Sequence, residues 1–452
     1  MNVPGTKAEG RVPEELCQAA GLDPIRLERA FQLLDQWVRE RRIPGAVAAV
    51  GRHGFLFGPR AYGLAQIVPL SRPMQTTTLF DVASLTKVVA TTSVFLSFLE
   101  EGLCRLEDPV GLFLPEFLQP APAGLEAFSI TDPSAAQPGP GTAAPAPAAH
   151  PETPTDGRSE GETGPAHLQT LAQLREKEHV TLRHLLTHSS GLAAWHPVYQ
   201  LPGSRRERIQ LLARAPLTYP PGKRVVYSCM GFILLGEILE RLGGKPLDVL
   251  ARERVFQPLG LQHTGFCPTG ADQAEAAATE VVPELGGPLV GIVHDENARA
   301  LGGVSGNAGL FSTACDLARF AQTWLNRGVA PGAGWGCGGT EQPAGAAESR
   351  RGPRIWSPAT VEAATRSYTP GLEEERGLGW MIHAGRTGLS GGDLLSPDSY
   401  GHTGFTGTSL WVDPRRDLFV VLLTNRVHPS RTNDAHLRLR PLFHNAVVAA
   451  TV

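Results

Sequence analysis

The chain carries β-hairpin patterns near both of its ends. Residues 45–63 (GAVAAVGRHGFLFGPRAYG) contain two short apolar runs around His53-Gly54. Residues 408–425 (TSLWVDPRRDLFVVLLTN) contain two β-rich runs on either side of a polar turn. Short apolar runs bounded by turn residues are typical of hairpin strands. The simplest fold that pairs all four runs is one sheet built from both ends of the chain. We therefore predict an α/β (α+β) fold with an antiparallel sheet, flanking helices and an inserted helical subdomain.

Helical patterns fill the region between the hairpins and also flank it. Residues 23–42 place apolar residues at helical spacing behind an Asp-Pro start, which indicates an amphipathic helix. Residues 84–102 form a mostly apolar run that ends at Gly102, which indicates a buried helix. Further helical patterns lie at 181–187, 205–214, 231–243, 313–326 and 433–449.

These patterns predict one folded domain over residues 20–450, preceded by an N-terminal tail over 1–19. The sheet subdomain is predicted to take about 20–75 and 365–450, and the helical subdomain about 76–364. Domains run to roughly 100–200 residues on average, so a chain of this length is long for one domain and has room for insertions.

Two low-complexity stretches interrupt the predicted domain. Residues 119–167 are dominated by Pro, Ala, Gly, Thr and Ser, and residues 331–353 are rich in Gly and Ala. Segments of this kind bury too little apolar surface to offset the entropy of ordering them. We predict disordered surface insertions at both places.

Composition and charge exclude several classes of protein. The 452 residues are 42% hydrophobic, which is enough for a sizeable core, and the net charge of −3 gives no strong field for binding nucleic acid. No apolar signal region follows the N-terminus, and no run of about 18 apolar residues predicts a membrane helix. The six cysteines are scattered, with no C-x-x-C pair, so reduced thiols in a cytoplasmic protein are expected.

Ser84 and Lys87 form the S-x-x-K pattern in the segment FDVASLTK. Residues three apart share one face of a helix, so a serine nucleophile and a lysine base can lie side by side. Val88, Val89 and Ala90 follow the lysine, and apolar surroundings disfavour its charged form. Alone, the pattern more often marks an N-cap serine and a lysine that extends to the surface than a catalytic pair.

Two later segments add to this pattern. Residues 225–236 (VVYSCMGFILLG) place Tyr227 near the start of a predicted helix. Residues 400–407 (YGHTGFTG) lead into a predicted strand and contain glycines that let a ligand approach the backbone closely.

The three segments together resemble the serine β-lactamase and penicillin-binding protein superfamily, whose motifs S-x-x-K, Y-x-N and [KH]-T-G occur in this order. The branch resembled includes class C β-lactamases, D-alanyl-D-alanine carboxypeptidases and β-lactamase-like esterases. Supporting stretches are LLTHSSGL at 185–192 and LGGVSGNAGLFST at 301–313. The resemblance spans roughly residues 20–450, apart from the two insertions.

The resemblance implies a role for each matching residue. Ser84 corresponds to the acylated nucleophile, Lys87 to the base that activates it, and Tyr227 to the group that passes a proton to the leaving group. No metal and no organic cofactor is implied. The partner implied is a small-molecule ester, amide or peptide, and the oligomeric state is left open.

The resemblance also implies a substrate-binding strand. His402, Thr403 and Gly404 would line this strand, and the backbone N–H groups of Ser84 and Phe405 would form the oxyanion hole. Acyl transfer needs a nucleophile, a base and two donors aimed at the tetrahedral oxygen, so these roles are chemically complete.

One residue departs from the motif. Cys229 stands where the family has Asn, and a thiol is a weak donor and acceptor compared with an amide. Recognition of β-lactams and acyl amides is therefore in question, and we predict a serine hydrolase for an ester, a small amide or a D-amino-acid peptide. Two alternatives stay open: a true β-lactamase or D-alanyl-D-alanine carboxypeptidase, and a catalytically silent scaffold that binds a peptide or partner.

Other residues match patterns that we rank lower. Ser390 lies in a G-x-S-x-G match within a glycine-rich loop that no helix follows. His184 and His188 have the i, i+4 spacing of a metal pair but lack the accompanying Glu. His294-Asp295-Glu296 either shapes the rim of the cleft or holds the fold, and the structural role is favoured.

Overall fold

A computed structural model describes residues 12–122, 165–336 and 351–452. Most of the two predicted insertions lies outside these ranges. The described residues at the ends of the insertions form regular secondary structure. A helix begins at Pro165, at the end of the first insertion, and a strand at 329–331 pairs with a strand at 351–354 at the ends of the second. Within the predicted N-terminal tail, Glu14–Ala19 form a helix.

The strands of the described residues are numbered in chain order. They are β1 (Gly45–Arg52), β2 (Phe55–Gln66), β3 (Arg72–Pro73), β4 (Phe80–Asp81), β5 (Gly265–Phe266), β6 (Val281–Val282), β7 (Gly287–Pro288), β8 (Leu310–Ser312), β9 (Val329–Pro331), β10 (Arg351–Arg354), β11 (Met381–Ile382), β12 (Tyr400–Thr403), β13 (Ser409–Asp413) and β14 (Leu418–Thr424).

The main sheet joins both ends of the chain. It has seven strands in the order β11-β12-β13-β14-β1-β2-β3, and every neighbouring pair is antiparallel. The two predicted hairpins meet at its centre, where Ala46 pairs with Thr424 and Arg52 with Leu418. The predicted α/β fold with a sheet from both termini is confirmed.

The helices surround this sheet and build the region inserted between its strands. They are α1 (Glu14–Ala19), α2 (Pro24–Arg39), α3 (Ser93–Glu100), α4 (Val110–Phe113), α5 (Pro165–Glu178), α6 (Leu182–Leu186), α7 (Arg205–Ala213), α8 (Cys229–Gly243), α9 (Leu247–Ala251), α10 (Gln257–Leu259), α11 (Gly270–Glu275), α12 (Glu296–Ala300), α13 (Ala314–Leu325), α14 (Pro358–Thr365) and α15 (His436–Val448).

The helix predicted over 84–102 is the one that departs most from regular geometry. It opens with a 3-10 turn at Ala83–Leu85, continues as a π-helix over Lys87–Thr92 and becomes α-helical only in α3. Local π-helical turns are uncommon and frequently lie at functional sites. This turn also sets where the Lys87 side chain leaves the helix.

The sheet separates two apolar cores. In β1, Ala46, Ala48 and Val50 face α2 and α15, whereas Val47 and Ala49 face the helical region. Side chains alternate between the two faces of a strand, so one strand with no exposed residue serves both cores. The central strands are thereby buried from both sides, which gives the site a rigid support.

The cysteines only partly match their prediction. Cys17, Cys104, Cys229 and Cys267 carry thiols rather than disulfides. Cys315, in contrast, takes part in a disulfide bond, so the prediction of reduced thiols is wrong at this position. None of the helices in the described ranges has the length and hydropathy needed to cross a bilayer.

The Asp413 carboxylate ties the turn between β13 and β14 to a neighbouring loop. It is fully buried and accepts hydrogen bonds from Ser396, from the backbone N–H groups of Arg415 and Arg416, and from the Arg416 side chain. Burial acts to raise the pKa of Asp413, but the hydrogen bonds from Ser396 and Arg416 outweigh it and lower that pKa.

We expect Asp413→Asn to lower the free energy of unfolding by about 1–3 kcal/mol at pH 7, since the charged acceptor of several buried donors is lost. Because the folded pKa lies below the unfolded one, this contribution is complete above pH ~4 and disappears as pH falls through the folded pKa. Urea unfolding at pH 7 and pH 3 measures it. Asp398→Asn, which removes an exposed partner of Arg415, is the control. An equal loss at both pH values would contradict the account.

Candidate active site

Ser84 lies at the junction between β4 and the irregular helix that follows. The backbone turns sharply there, with Ala83 at a φ of 47°, and the Thr86 hydroxyl holds this turn by donating to the Ala83 carbonyl at 2.6 Å. Ser84 is half-buried, whereas Ala83 and Leu85 are buried. Its hydroxyl therefore opens onto a cleft of about 430 Å³.

Lys87 is fully buried next to this serine. Its ammonium nitrogen lies 3.1 Å from Ser84 Oγ and 3.0 Å from the carbonyl oxygen of Asn307. Cys229 Sγ is its third neighbour, at 3.7 Å. An ammonium group has three donors, so all three directions are taken.

Lys87 and Tyr227 titrate as a coupled pair. Burial acts to lower the pKa of Lys87, but attraction by Cys229 and Tyr227 outweighs it, so that pKa is raised. Burial also raises the pKa of Tyr227, against the opposing effect of Lys87. Apolar surroundings therefore disfavour the charged form of Lys87, but the attraction of Cys229 and Tyr227 is stronger. Its protonation depends on the charges of Tyr227 and Cys229, because each attracts the ammonium only as an anion.

Tyr227 is held between aromatic and cationic groups. It lies just before α8, whose N-cap is Ser228, so it precedes the helix that it was predicted to open. The His188 ring lies 4.5 Å from its ring, and His188 Nδ1 accepts a hydrogen bond from the Ser228 N–H at 3.0 Å. The Lys87 nitrogen and the Arg376 guanidinium lie 4.9 and 5.5 Å from the ring centroid.

The strand β12 forms the opposite wall of the cleft. Thr403, Gly404 and Phe405 line the cleft. Gly404 lies close to the segment that precedes Ser84, since a Cβ atom there would be 2.5 Å from the Val82 carbonyl oxygen. The Phe405 backbone N–H has no acceptor among the described residues.

His402 lies just behind the cleft wall and is not among the residues that line the cleft. It is 2% exposed, and its Nδ1 lies 2.8 Å from the Thr403 carbonyl oxygen. Successive strand residues point to opposite faces, so His402 faces inward once Thr403 faces the cleft. Its ring lies 5.9 Å from that of Tyr227. Burial lowers the pKa values of His402 and His188 far enough to keep both rings neutral at pH 7.

Cys229 occupies the place implied by the motif. It is the first residue of α8, is half-buried and lines the cleft beside Lys87. The position where the family has an amide thus offers a thiol to both the lysine and the cleft. The free Cys267, in contrast, lies outside the residues that line this cleft.

Sequence reasoning missed much of the cleft. His294, Asp295 and Glu296 line it, so they shape the rim as well as holding the fold. The structural role is also present, because the His294 N–H donates to Asp81 and Asp295 caps α12. No sequence signal indicated the remaining lining residues, which are Trp195, Tyr199, Arg426, Arg431, His436, Leu437 and Arg440.

The lower-ranked patterns have structural places. His184 Nδ1 accepts from the Thr181 N–H and His188 Nδ1 from the Ser228 N–H, so the two rings serve different backbone segments. In the part of the chain that the structure describes, no group of three or more His, Cys, Asp or Glu side chains is placed to hold a metal ion. Ser390 lies in a loop outside the cleft lining.

Sequence comparisons extend over almost the whole chain. A family model described as Beta-lactamase matches residues 30–442. An Escherichia coli (strain K12) protein provisionally named a D-alanyl-D-alanine carboxypeptidase is 28% identical over 442 residues, covering 91% of this chain and 85% of that protein. A Bacillus subtilis (strain 168) N-acetylmuramyl-L-alanine amidase is 29% identical over 439 residues, which cover 91% of this chain and 83% of that protein.

Solved structures share the fold. EstCE1, described as a hydrolase with promiscuous acyltransferase activity, has a TM-score of 0.62 at 23% identity, covering 94% of this chain and 99% of that chain. Simvastatin synthase (LovD) from Aspergillus terreus has a TM-score of 0.62 at 20% identity, covering 94% and 98%. At these identities the likeness is one of fold.

We expect Gly404→Ala to lower kcat/KM for an ester substrate by at least ~10-fold, because displacing reacting groups by about 1 Å costs on the order of 100-fold. The added Cβ would lie 2.1 Å from Thr408 Oγ1 and 2.5 Å from the Val82 carbonyl oxygen, so β12 must move. Steady-state kinetics measures the loss. Gly265→Ala is the matched control, since its Cβ would meet no atom within 4 Å. Equal kcat/KM for both variants would show that this close approach is not needed.

Proposed function

Because the chain belongs to the β-lactamase family of serine hydrolases, we propose that it hydrolyses its substrate through an acyl-enzyme formed on Ser84. One observation carries this proposal: the 3.1 Å separation between the Lys87 nitrogen and Ser84 Oγ at the edge of an open cleft. A nucleophile and a base at hydrogen-bonding distance are the basic requirement for covalent acyl transfer.

Lys87 and Tyr227 share the proton transfers in this proposal. Lys87 lies at hydrogen-bonding distance from Ser84 Oγ, and Tyr227 forms hydrogen bonds with both side chains. When Lys87 and Tyr227 together have lost one proton, they can accept the proton of the Ser84 hydroxyl during attack. The same proton then passes to the leaving group, and Tyr227, which lines the cleft, is the group that delivers it.

The oxyanion is proposed to bind between Ser84 and Phe405. Both residues line the cleft, Ser84 directly after the sharp turn at Ala83 and Phe405 two residues after the end of β12, which supports this role for their backbone N–H groups. Two rigid backbone donors aimed at a developing negative charge stabilise the tetrahedral intermediate more than the ground state.

The proposed substrate is an ester, or a small amide or D-amino-acid peptide, with esters favoured. Amide leaving groups are poor, so amide substrates depend on firm hydrogen bonding of the acyl side. Cys229 offers one weak donor and a weak acceptor at the position where the family has an amide. Loss of a hydrogen bond in a closed site costs about 1–3 kcal/mol, or roughly 5- to 150-fold in rate.

Hydrolysis of D-alanyl-D-alanine peptides is the second candidate. The name of the Escherichia coli relative favours it, because the similarity extends over 91% of this chain. The cleft lining also includes Arg440, which forms no ion pair among the described residues and suits the carboxylate of such a peptide. A catalytically silent scaffold is disfavoured, since Ser84, Lys87 and Tyr227 are all present and adjacent.

We expect a fluorophosphonate probe to label one peptide, the one that contains Ser84. Ser84→Ala removes the covalent step, so it abolishes labelling and lowers ester turnover by on the order of 10³-fold or more. Intact-protein mass spectrometry and p-nitrophenyl ester kinetics measure the two effects. Ser390→Ala is the control and retains both properties. Labelling that persists in Ser84→Ala, or that moves to Ser390, would overturn the proposed function.

The second prediction for this site concerns Cys229. We expect kcat/KM for short-chain p-nitrophenyl esters to exceed that for nitrocefin by at least ~10-fold, within the cost of one lost hydrogen bond. Cys229→Asn restores an amide and narrows the ratio by improving nitrocefin acylation. Cys267→Asn, at a thiol outside the cleft, leaves the ratio unchanged.

Release of D-alanine from D-Ala-D-Ala peptides, assayed beside these substrates, tests the second candidate. A wild-type preference for nitrocefin, or an unchanged ratio in Cys229→Asn, would show that Cys229 does not set the substrate class.

A further inference from the structure

Two buried arginines hold the loop that follows β12 from behind. Arg426 is 2% exposed and Arg440 is 4% exposed. Arg440 lies on α15, and its Nη2 donates to the carbonyl oxygens of Gly404 and Thr408, both at 2.8 Å. Arg426 follows β14, and its Nε donates to the Phe405 carbonyl oxygen at 2.8 Å.

The Gly404 carbonyl and the Phe405 N–H belong to the same peptide group. Arg440 therefore holds the oxygen end of a peptide whose nitrogen belongs to Phe405, a residue that lines the cleft. A charged donor on a carbonyl strengthens the hydrogen bond that the N–H of the same peptide can donate, because the two bonds polarise each other. The Phe405 N–H has no acceptor among the described residues, so this enhanced donor is available to the cleft.

Neither arginine contacts a carboxylate directly among the described residues, although Asp434 and Glu280 attract Arg426 from a longer distance. No ion pair of Arg426 or Arg440 with an acidic side chain occurs in the described ranges. Burial lowers their pKa values to about 10 and about 9, so both remain cations at pH 7. Buried positive charge without a counter-charge is costly, and any negative charge that develops nearby relieves that cost. In the proposed reaction this charge is the tetrahedral oxyanion.

We propose that Arg440 is a positioning residue for catalysis, which polarises and orients the Gly404–Phe405 peptide so that the Phe405 N–H stabilises the oxyanion. This inference rests on the proposed function, because it assumes acyl transfer to Ser84. Arg426 assists from the other side by holding the Phe405 carbonyl, and its guanidinium lies 4.3 Å from the centroid of the Phe405 ring.

A different role for Arg440 would be direct contact with a substrate carboxylate. Arg440 lines the cleft, and its Nε has no partner among the described residues. The two roles differ in the kinetic constant that they affect. Polarisation of the peptide lowers the barrier for every acyl substrate and affects kcat. Contact with a carboxylate affects KM and only for substrates that carry one.

The test compares Arg440→Gln, Arg440→Lys and wild type on a neutral p-nitrophenyl ester and on an ester with a carboxylate in its acyl chain. We expect Arg440→Gln to lower kcat by at least ~10-fold on both esters and to change KM less than about threefold. Loss of a whole oxyanion donor lowers kcat by about 100- to 1,000-fold. The loss in Arg440→Gln is smaller because the Phe405 N–H remains. Arg440→Lys retains the charge and recovers part of kcat.

A boronic acid provides a second measurement, because its adduct with the serine is tetrahedral and anionic. We expect its inhibition constant for Arg440→Gln to rise by the same factor by which kcat falls. The rate of fluorophosphonate labelling at Ser84 gives the same comparison without turnover of any ester. Arg319→Gln is the control, because Arg319 also donates to several backbone carbonyls but lies away from the cleft.

Three outcomes would overturn the inference. They are an unchanged kcat and boronate constant in Arg440→Gln, a rise in KM confined to the carboxylated ester, and an equal kinetic loss in Arg319→Gln. If thermal unfolding shows that Arg440→Gln does not fold, the same comparison is made with Arg440→Lys. An unaltered kcat and boronate inhibition constant in Arg440→Lys would then count against the positioning role of Arg440. Failure of the proposed function is distinct, since it appears as labelling that persists in Ser84→Ala.

Discussion

The contacts of the Lys87 ammonium group are the interaction on which the site depends. Its three neighbours come from three separate parts of the chain: Ser84 on the same helix, Cys229 at the start of α8, and the Asn307 carbonyl in the loop before β8. A buried ammonium that lost one of these neighbours would leave a costly unsatisfied donor. The three segments are therefore held at fixed distances from one another, and the nucleophile is placed by the same contacts that bury the lysine.

A second constraint brings the sheet to this centre. The hydroxyls of Thr406 and Thr408 donate to the carbonyls of Asp81 and Val82, just before Ser84. Gly404 allows this approach, because a Cβ there would collide with the Val82 carbonyl. Strand β12 belongs to a sheet whose central strands are buried on both faces, so the cleft wall that carries the Phe405 N–H has little freedom to move.

The charge around the site is mostly positive and mostly buried. Lys87 lies at the centre, Arg376 lies behind Tyr227, and Arg426 and Arg440 lie behind the β12 loop. Arg376 contacts Glu374 through one nitrogen, while its other two guanidinium nitrogens have no partner among the described residues. His188 and His402 stay neutral because burial and these cations lower their pKa values. An arrangement of this kind favours a reaction that develops negative charge in the cleft.

The sequence by itself determined the local structure and the proposed reacting pair. Period-two runs indicated the hairpins, 3.6-residue periodicity indicated the helices, and the i, i+3 spacing put Ser84 beside Lys87, because these features depend only on neighbouring residues. Tertiary structure decided that His402 points inward, that the Asn307 carbonyl accepts a hydrogen bond from Lys87, and that Arg440 donates to the Gly404 carbonyl. Arg440 lies 36 residues from Gly404 along the chain, and Asn307 lies 220 residues from Lys87. No local pattern encodes such contacts, since they arise only when both ends of the chain have paired in one sheet and the apolar faces of its helices are buried against it.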